Sequence, residues 1–224
     1  MRHLGPIAFA LILVTCGGAA VPAASSPSPA ATAASPSASA VAAATTVPTY
    51  APTAEGFASK VLIEKPRTLS TSANGYVWIV PGAASDGNGV SAVISDKESF
   101  TASYQLPTER RANSDKAVAF ATPDLPPLAA GKYTEGLRLI SVQPGGRSAA
   151  HMHSGFEGVL VLEGRVLVRS GGSAPVFLSP GQGFYILPKT PVQLINVGEA
   201  LARTLVYSIS PEGAPFSTEL PQSP

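Results

Sequence analysis

The run from residue 145 to residue 164 constrains this chain more than any other: it sets Gly145, His151, His153, Glu157 and Gly164 among small and apolar β-formers. The chain has three histidines, and two of them fall here. In an extended strand, residues two apart face the same side, so His151 and His153 point together and Met152 points away. Glu157 follows at even spacing, past a Ser154-Gly155-Phe156 turn, on what reads as the second strand of a β-hairpin. Val159 and Val161 continue its face. Two imidazoles and a carboxylate then meet on an apolar wall, where an unpaired charge is costly and a bound divalent cation removes the cost. His151, His153 and Glu157 are therefore the candidate metal ligands.

The surroundings predict an all-β domain. From about residue 60, short β-prone runs alternate with Gly, Pro, Asn and Asp: 61–64, 76–80, 90–95, 99–105 and 117–121, then 136–142, 148–153, 158–162, 165–169, 176–178, 184–187, 192–196 and 204–209. Strands of this length and turn spacing build sandwiches and barrels. No long window carries a helical period; the polar stretch 108–116 has room for one helical turn, and Arg110-Arg111 reads as a solvated loop pair. Glu163 and Gly164 read as a hairpin turn, with Gly164 supplying a positive φ. Phe156, Tyr185 and Trp78 are candidates for either a pocket wall or the core, and the core is the commoner place for aromatics in a small β-domain.

Gly145 to Gly164 resembles the first motif of the cupin superfamily at each of its defining positions. A second motif is similar from Gly181 to Asn196, with departures: Leu187 stands where proline is usual, Lys189 where glycine is usual, and Val192 where histidine is usual. The resemblance covers about residues 133–211. It implies a small antiparallel jelly-roll barrel with additional N-terminal β-strands, the two motifs lying on facing strands. It further implies that His151, His153 and Glu157 hold a metal, while Val192 cannot ligate and Gln193 faces away unless a bulge turns it inward. Two histidines and one carboxylate suit non-haem iron, and three-ligand catalytic zinc is also known. Fe, Mn, Zn, Ni and Cu all remain open. A relic barrel, in which the histidines hydrogen-bond the glutamate and hold no ion, is the alternative.

The amino terminus carries a different message. Arg2 precedes an apolar stretch from Leu4 to Val14, too short to span a bilayer and suited to a secretory signal. The stretch ends Leu13-Val14-Thr15-Cys16-Gly17, which resembles a bacterial lipobox, with Thr15 in place of the usual small residue. Residues 1–16 are thus expected to be a lipoprotein-type signal, with Cys16 as the lipidated residue. A cut near Ala20 or Ala24 is the alternative. Residues 17–57, almost entirely Ala, Ser, Pro, Thr and Val, lack the material for a core and are expected to be a disordered linker.

Cys16 is the only cysteine, so an internal disulfide and a cysteine-built zinc site are both excluded. The formal net charge is +1 with 13% charged residues and no basic stripe, so no nucleic-acid partner is expected. Residues 58–132 contain no histidine and are expected to form a β extension packed on the barrel, since about 70 residues is short for an independent one. A degenerate second cupin half or a small separate β-domain are the alternatives. The barrel is placed at 133–212 and a flexible tail at 213–224.

Together these readings describe an exported protein, anchored to the membrane by lipid on the periplasmic or cell-surface side, or secreted if the signal is simply cleaved. Its barrel is expected to hold a divalent metal and a small oxygenated molecule. Dioxygenation or Lewis-acid isomerisation would suit such a centre, although no separate general base is identifiable. Two other roles stay open: a metal-free small-molecule binder, and a structural barrel that forms a homodimer through its edge.

Overall fold

The computed structural model describes residues 51, 53–82, 89–106 and 118–220. The signal, Cys16, most of the expected linker, the polar stretch 108–116 with Arg110 and Arg111, and the last four residues lie outside these. Among the described residues there are fifteen strands and no helix. They are β1 (Glu55–Leu69), β2 (Ala73–Pro81), β3 (Val90–Ser95), β4 (Glu98–Gln105), β5 (Phe120–Ala121), β6 (Leu125–Leu128), β7 (Gly131–Arg147) and β8 (His151–His153), followed by β9 (Phe156–Glu163), β10 (Val166–Ser170), β11 (Val176–Leu178), β12 (Gly183–Ile186), β13 (Val192–Asn196), β14 (Ala202–Pro211) and β15 (Ser217–Glu219).

Ten strands form one antiparallel sheet in the order β11-β10-β13-β7-β14-β9-β12, with β1 added to β7, β8 to β13, and β15 to β8. This is the expected all-β jelly-roll barrel. The long strand β7 serves it by pairing with β1 along one edge and β14 along the other, while its last residue, Arg147, meets Ile195 of β13. The second sheet, β3-β4-β2-β5 with β6 on β2, holds the remaining N-terminal strands. Residues 58–132 therefore split between the sheets: β1 enlarges the barrel, and β2 to β6 pair among themselves.

Three expectations need correction. β1 begins at Glu55, inside the stretch read as linker, and Ala51 is already tied down: its carbonyl accepts from Ala150 N at 3.0 Å and from Gln193 Nε2 at 3.0 Å. The tail contains β15, which pairs with β8 from Ser217↔His153 to Glu219↔His151. Neither hairpin exists: β8 pairs with β13 and β15, β9 with β12 and β14, and β10 with β11 and β13. Ser154-Gly155 and Gly164 are thus corners at which the chain leaves one set of partners for another. Gly164, at φ 75°, keeps the positive φ expected of it.

Two apolar clusters organise the interior. One lies inside the barrel and includes Ile140, Val159, Val166, Val168, Val192 and Val206. The other joins the sheets, packing Val77, Ile79 and Tyr104 of the second sheet against Leu137, Phe156 and Leu205 of the barrel. Each fully buried side chain of this size contributes roughly 1.5–3 kcal/mol, which makes the shared cluster the main adhesive between the sheets. Phe156 and Trp78 are buried and Tyr185 packs against this cluster, so all three are core aromatics.

A polar chain runs through the same cluster. The Tyr104 amide donates to the Tyr207 hydroxyl at 2.8 Å, which donates to Glu135 Oε1 at 2.9 Å. Glu135 is fully buried and its Oε2 has no hydrogen-bond partner. Burial lifts its carboxyl above the ordinary value, against the Tyr207 hydrogen bond and the nearby Arg67 and Lys65 charges. The folded protein therefore keeps a proton that the unfolded chain releases at the ordinary carboxylate value. Stability should fall as pH rises from that value through the raised one, by about 1.4 kcal/mol per unit of displacement. Glu135→Gln is expected to flatten this fall, checked by urea midpoints across pH; an unchanged slope would show that Glu135 is not its source.

Candidate metal centre

His151 and His153 stand on β8 and Glu157 is the second residue of β9, brought beside them by the Ser154-Gly155 corner. Glycine is required at this corner, because a Cβ on Gly155 would lie 1.7 Å from the Ile209 carbonyl oxygen of β14. His153 is 2% exposed and Glu157 5% exposed, so the pair is withdrawn from water.

The tautomers follow from the backbone. His151 Nδ1 lies 2.8 Å from the Ala149 carbonyl and His153 Nδ1 lies 2.8 Å from the Phe216 carbonyl. A carbonyl only accepts, so each Nδ1 carries the hydrogen, and in the neutral ring each Nε2 presents a lone pair. Nδ1–H bonded to a carbonyl with Nε2 free is the arrangement typical of a metal-ligating histidine.

His153 Nε2 approaches Glu157 Oε2 to 2.7 Å, yet both atoms are buried without a hydrogen bond. The distance suits an ion pair, but the approach misses the alignment a hydrogen bond needs. The two groups form a buried ion pair when His153 is protonated, and present two donor atoms to a cation when it is neutral. Burial works against the charged form of His153, and the Glu157 carboxylate outweighs it, so the imidazole titrates above its ordinary value. His151 moves the other way: burial lowers it, opposed by the Ala149 hydrogen bond and, after the repulsion of His153, by the charges of Glu157 and Glu219.

His151 sits beside His153, ring centroids 4.7 Å apart and nearly perpendicular. It does not complete a cage: among the described residues no three His, Cys, Asp or Glu side chains are gathered closely enough to hold a metal ion. The donors fit a divalent cation in chemistry, and two of the three are already together. Val192, paired directly with His151, adds an apolar wall where a fourth donor was expected. Gln193 does not replace it. Its side chain is fully buried and spent on Ala51 and the Ser148 carbonyl.

His151, Glu157 and Val192 open onto a cavity of about 500 Å³. Its walls are mostly aliphatic, with Ile140, Val159, Val168, Ile186, Leu194 and Val206 among them. The polar lining includes Arg138, His151, Glu157 and Glu219. Arg138 forms an ion pair with Glu64 and lays its guanidinium over the Phe216 ring, 4.0 Å from the centroid. Phe216 and Glu219 were missed in the sequence, since neither belongs to a recognisable motif.

Residues 138–208 match the family model of the cupin domain. The chain is similar in structure to an oxalate oxidase in complex with the substrate analogue glycolate, at 23% identity and TM-score 0.36, over 38% of this chain and 46% of that one. It is also similar to a Cupin 2 conserved barrel domain protein from Salinispora arenicola CNS-205, at 23% identity and TM-score 0.31, over 33% and 61% of the two chains. A third is the polyketide cyclase RemF from Streptomyces resistomycificus, at 20% identity and TM-score 0.35, over 40% and 62%. The chain spans less than half the length of the oxalate oxidase. No curated protein matches it. The motif at 145–164, the jelly-roll pairing and the family match converge on one assignment: residues 138–208 are a cupin domain.

Proposed function

We propose that this barrel binds a divalent metal through His153, Glu157 and His151 and presents it to a small molecule in the adjoining cavity. The observation that carries the reading is the 2.7 Å approach of His153 Nε2 and Glu157 Oε2, an imidazole and a carboxylate of the motif buried side by side. A buried carboxylate is costly unless it is paired, and a cation held by both groups would supply that pairing without a proton on His153. When bound, the ion supplies a Lewis acid with open positions. The chain's own residues do the rest. The carbonyls of Ala149 and Phe216 hold the imidazoles in the ligating tautomer. The aliphatic walls keep water from the centre and shape the pocket for a small ligand with an apolar body and oxygen donors, for which dioxygenation or isomerisation is the chemistry we propose.

Metal content of the purified chain, compared with His151→Ala and His153→Ala, tests the reading. Wild type is expected to retain metal that the variants lose, and added Mn²⁺, Fe²⁺ or Zn²⁺ should raise its melting temperature; at a hundred times Kd the gain is about 2.7 kcal/mol. Equal metal content in all three, with no thermal shift, would favour the competing reading, a metal-free small-molecule binder or dimerising barrel. Val192 is the residue that speaks for that alternative.

The proposal extends to location. The apolar stretch ending at Cys16 and the Ala/Ser/Pro-rich segment after it support a lipid-anchored domain held outside the cytoplasm on a spacer. Mass spectrometry of the mature protein should find a lipidated Cys16 as its first residue. An unmodified start beyond Cys16 would rule the anchor out.

A further inference from the structure

Both ends of the domain shape the cavity beside the candidate ligands. Ala54, Phe57 and Ser59 line it from around the start of β1, and Phe216, Ser217 and Glu219 line it from β15 and the residue before. Directly opposed residues of an antiparallel pair project from the same face of the sheet. Ser217 opposes His153 and Glu219 opposes His151, so both turn toward the cavity, while Thr218, opposite Met152, turns outward. The volume of about 500 Å³ lies within the roughly 300–1,000 Å³ usual for small-molecule sites.

The polar groups on this lining are mostly acceptors. His151 Nδ1 gives its hydrogen to the Ala149 carbonyl, which leaves Nε2 of the neutral ring to accept. Glu157 and Glu219, when ionised, only accept. The Ser59 and Ser217 hydroxyls accept as readily as they donate. Arg138 is the one Lys or Arg on the described lining; its charge is offset by Glu64 and its guanidinium lies on the Phe216 ring. Its Nε is buried out of a ligand's reach.

Charge points the same way. A protonated His153 balances Glu157 and leaves the exposed Glu219 at the opening. A divalent ion brings two charges, which the two lining carboxylates match in net charge. In neither state does the cavity hold a spare positive charge, and an anion moved from water onto aliphatic walls needs one. A hydroxyl needs only an acceptor. We infer that the ligand is an uncharged molecule with an apolar body and a donating hydroxyl, an alcohol or phenol rather than a carboxylate or phosphate, and that Glu219 is the residue that turns anions away. The inference rests on the reading of the cavity as a small-molecule site, and it holds with or without the ion.

The test is calorimetric binding of three compounds that share one body, para-tert-butylphenol, para-tert-butylanisole and para-tert-butylbenzoate. They are titrated into the full chain at neutral pH, after EDTA treatment and after addition of Zn²⁺, with metal content measured alongside. The phenol is expected to bind about ten-fold or more tighter than either of the others, because the anisole cannot donate and the benzoate is charged. Ser59→Phe, which fills the cavity from an exposed position of β1, should abolish phenol binding and leave the melting temperature close to that of wild type. Glu219→Gln should raise benzoate affinity several-fold and leave anisole affinity unchanged. Benzoate or anisole binding as tightly as the phenol, phenol binding that survives Ser59→Phe, or no phenol binding at all overturns the inference. Unchanged benzoate affinity in Glu219→Gln removes Glu219 as the selecting residue. Preference for the phenol in a chain that takes up no metal sinks the metal reading alone, and preference for the benzoate in a Zn²⁺-loaded chain sinks this inference alone.

Discussion

Glu157→Gln is expected to lower divalent-metal affinity by about a hundred-fold or more while leaving a folded barrel. Glu157 is the one candidate ligand of the first motif that brings a negative charge, and its Oε2 already lies 2.7 Å from His153 Nε2. A glutamine keeps the size and one carbonyl oxygen but offers the cation no charge. Even residues that only support a ligand are commonly worth ten- to a hundred-fold in affinity, so a direct ligand should lie at or beyond that range. The fold should survive, because an amide in this place can donate to a neutral His153 Nε2. Calorimetric titration with Mn²⁺ or Zn²⁺ measures the loss, and circular dichroism checks the barrel. Undiminished affinity in the variant would remove Glu157 from the centre, and with it the metal reading in its present form.

Gly155→Ala should be more damaging to the fold than any change at the ligands. The added Cβ would sit 1.7 Å from the Ile209 carbonyl oxygen, and that oxygen belongs to backbone in the middle of the sheet. Relief would require pulling the corner away from β14 where Ile209 faces Phe156, and Phe156 anchors the cluster shared by the two sheets. The cost is expected to exceed about 4 kcal/mol, the range reached only when strain or overpacking cannot relax. Soluble yield and melting temperature read it directly. A melting temperature within a few degrees of wild type would mean that the corner has slack, and that the close approach of His153 to Glu157 is not enforced by Gly155.

The two expectations share a cause. Three residues separate His153 from Glu157, and the chain turns between them from one set of strand partners to another. A hairpin would have placed the two strands side by side, with the ligands set by local pairing. The corner instead makes their meeting depend on where β14 lies, so a defect at Gly155 is felt at the metal centre and in the core together.

Much of this was legible in the residues. The strands at 90–95, 176–178 and 192–196 stand where turn residues and apolar runs put them, because each is short and bounded by turn residues. The same-face relation of His151 and His153 needed only the two-residue period of a strand. What escaped notice was held by backbone pairing rather than by side-chain pattern. β1 is mostly exposed and rich in Lys, Glu and Arg, so its 15 residues show little of the alternation that marks a half-buried strand. β6 reads Leu-Pro-Pro-Leu, which resembles a loop, and all three residues of β15 are exposed.

The sequence by itself determined the all-β class of fold and which three side chains could ligate a metal, because those follow from periodicity, turn chemistry and a motif of fixed spacing, while the jelly-roll form was implied by the resemblance of the two motifs. Only the tertiary structure decided which donors actually meet, that Val192 is matched across β8 by Glu219, and that the strand after β14 borders the cavity. Those facts depend on residues more than forty positions apart pairing through backbone hydrogen bonds, an interaction that leaves almost no trace in the identity of the side chains.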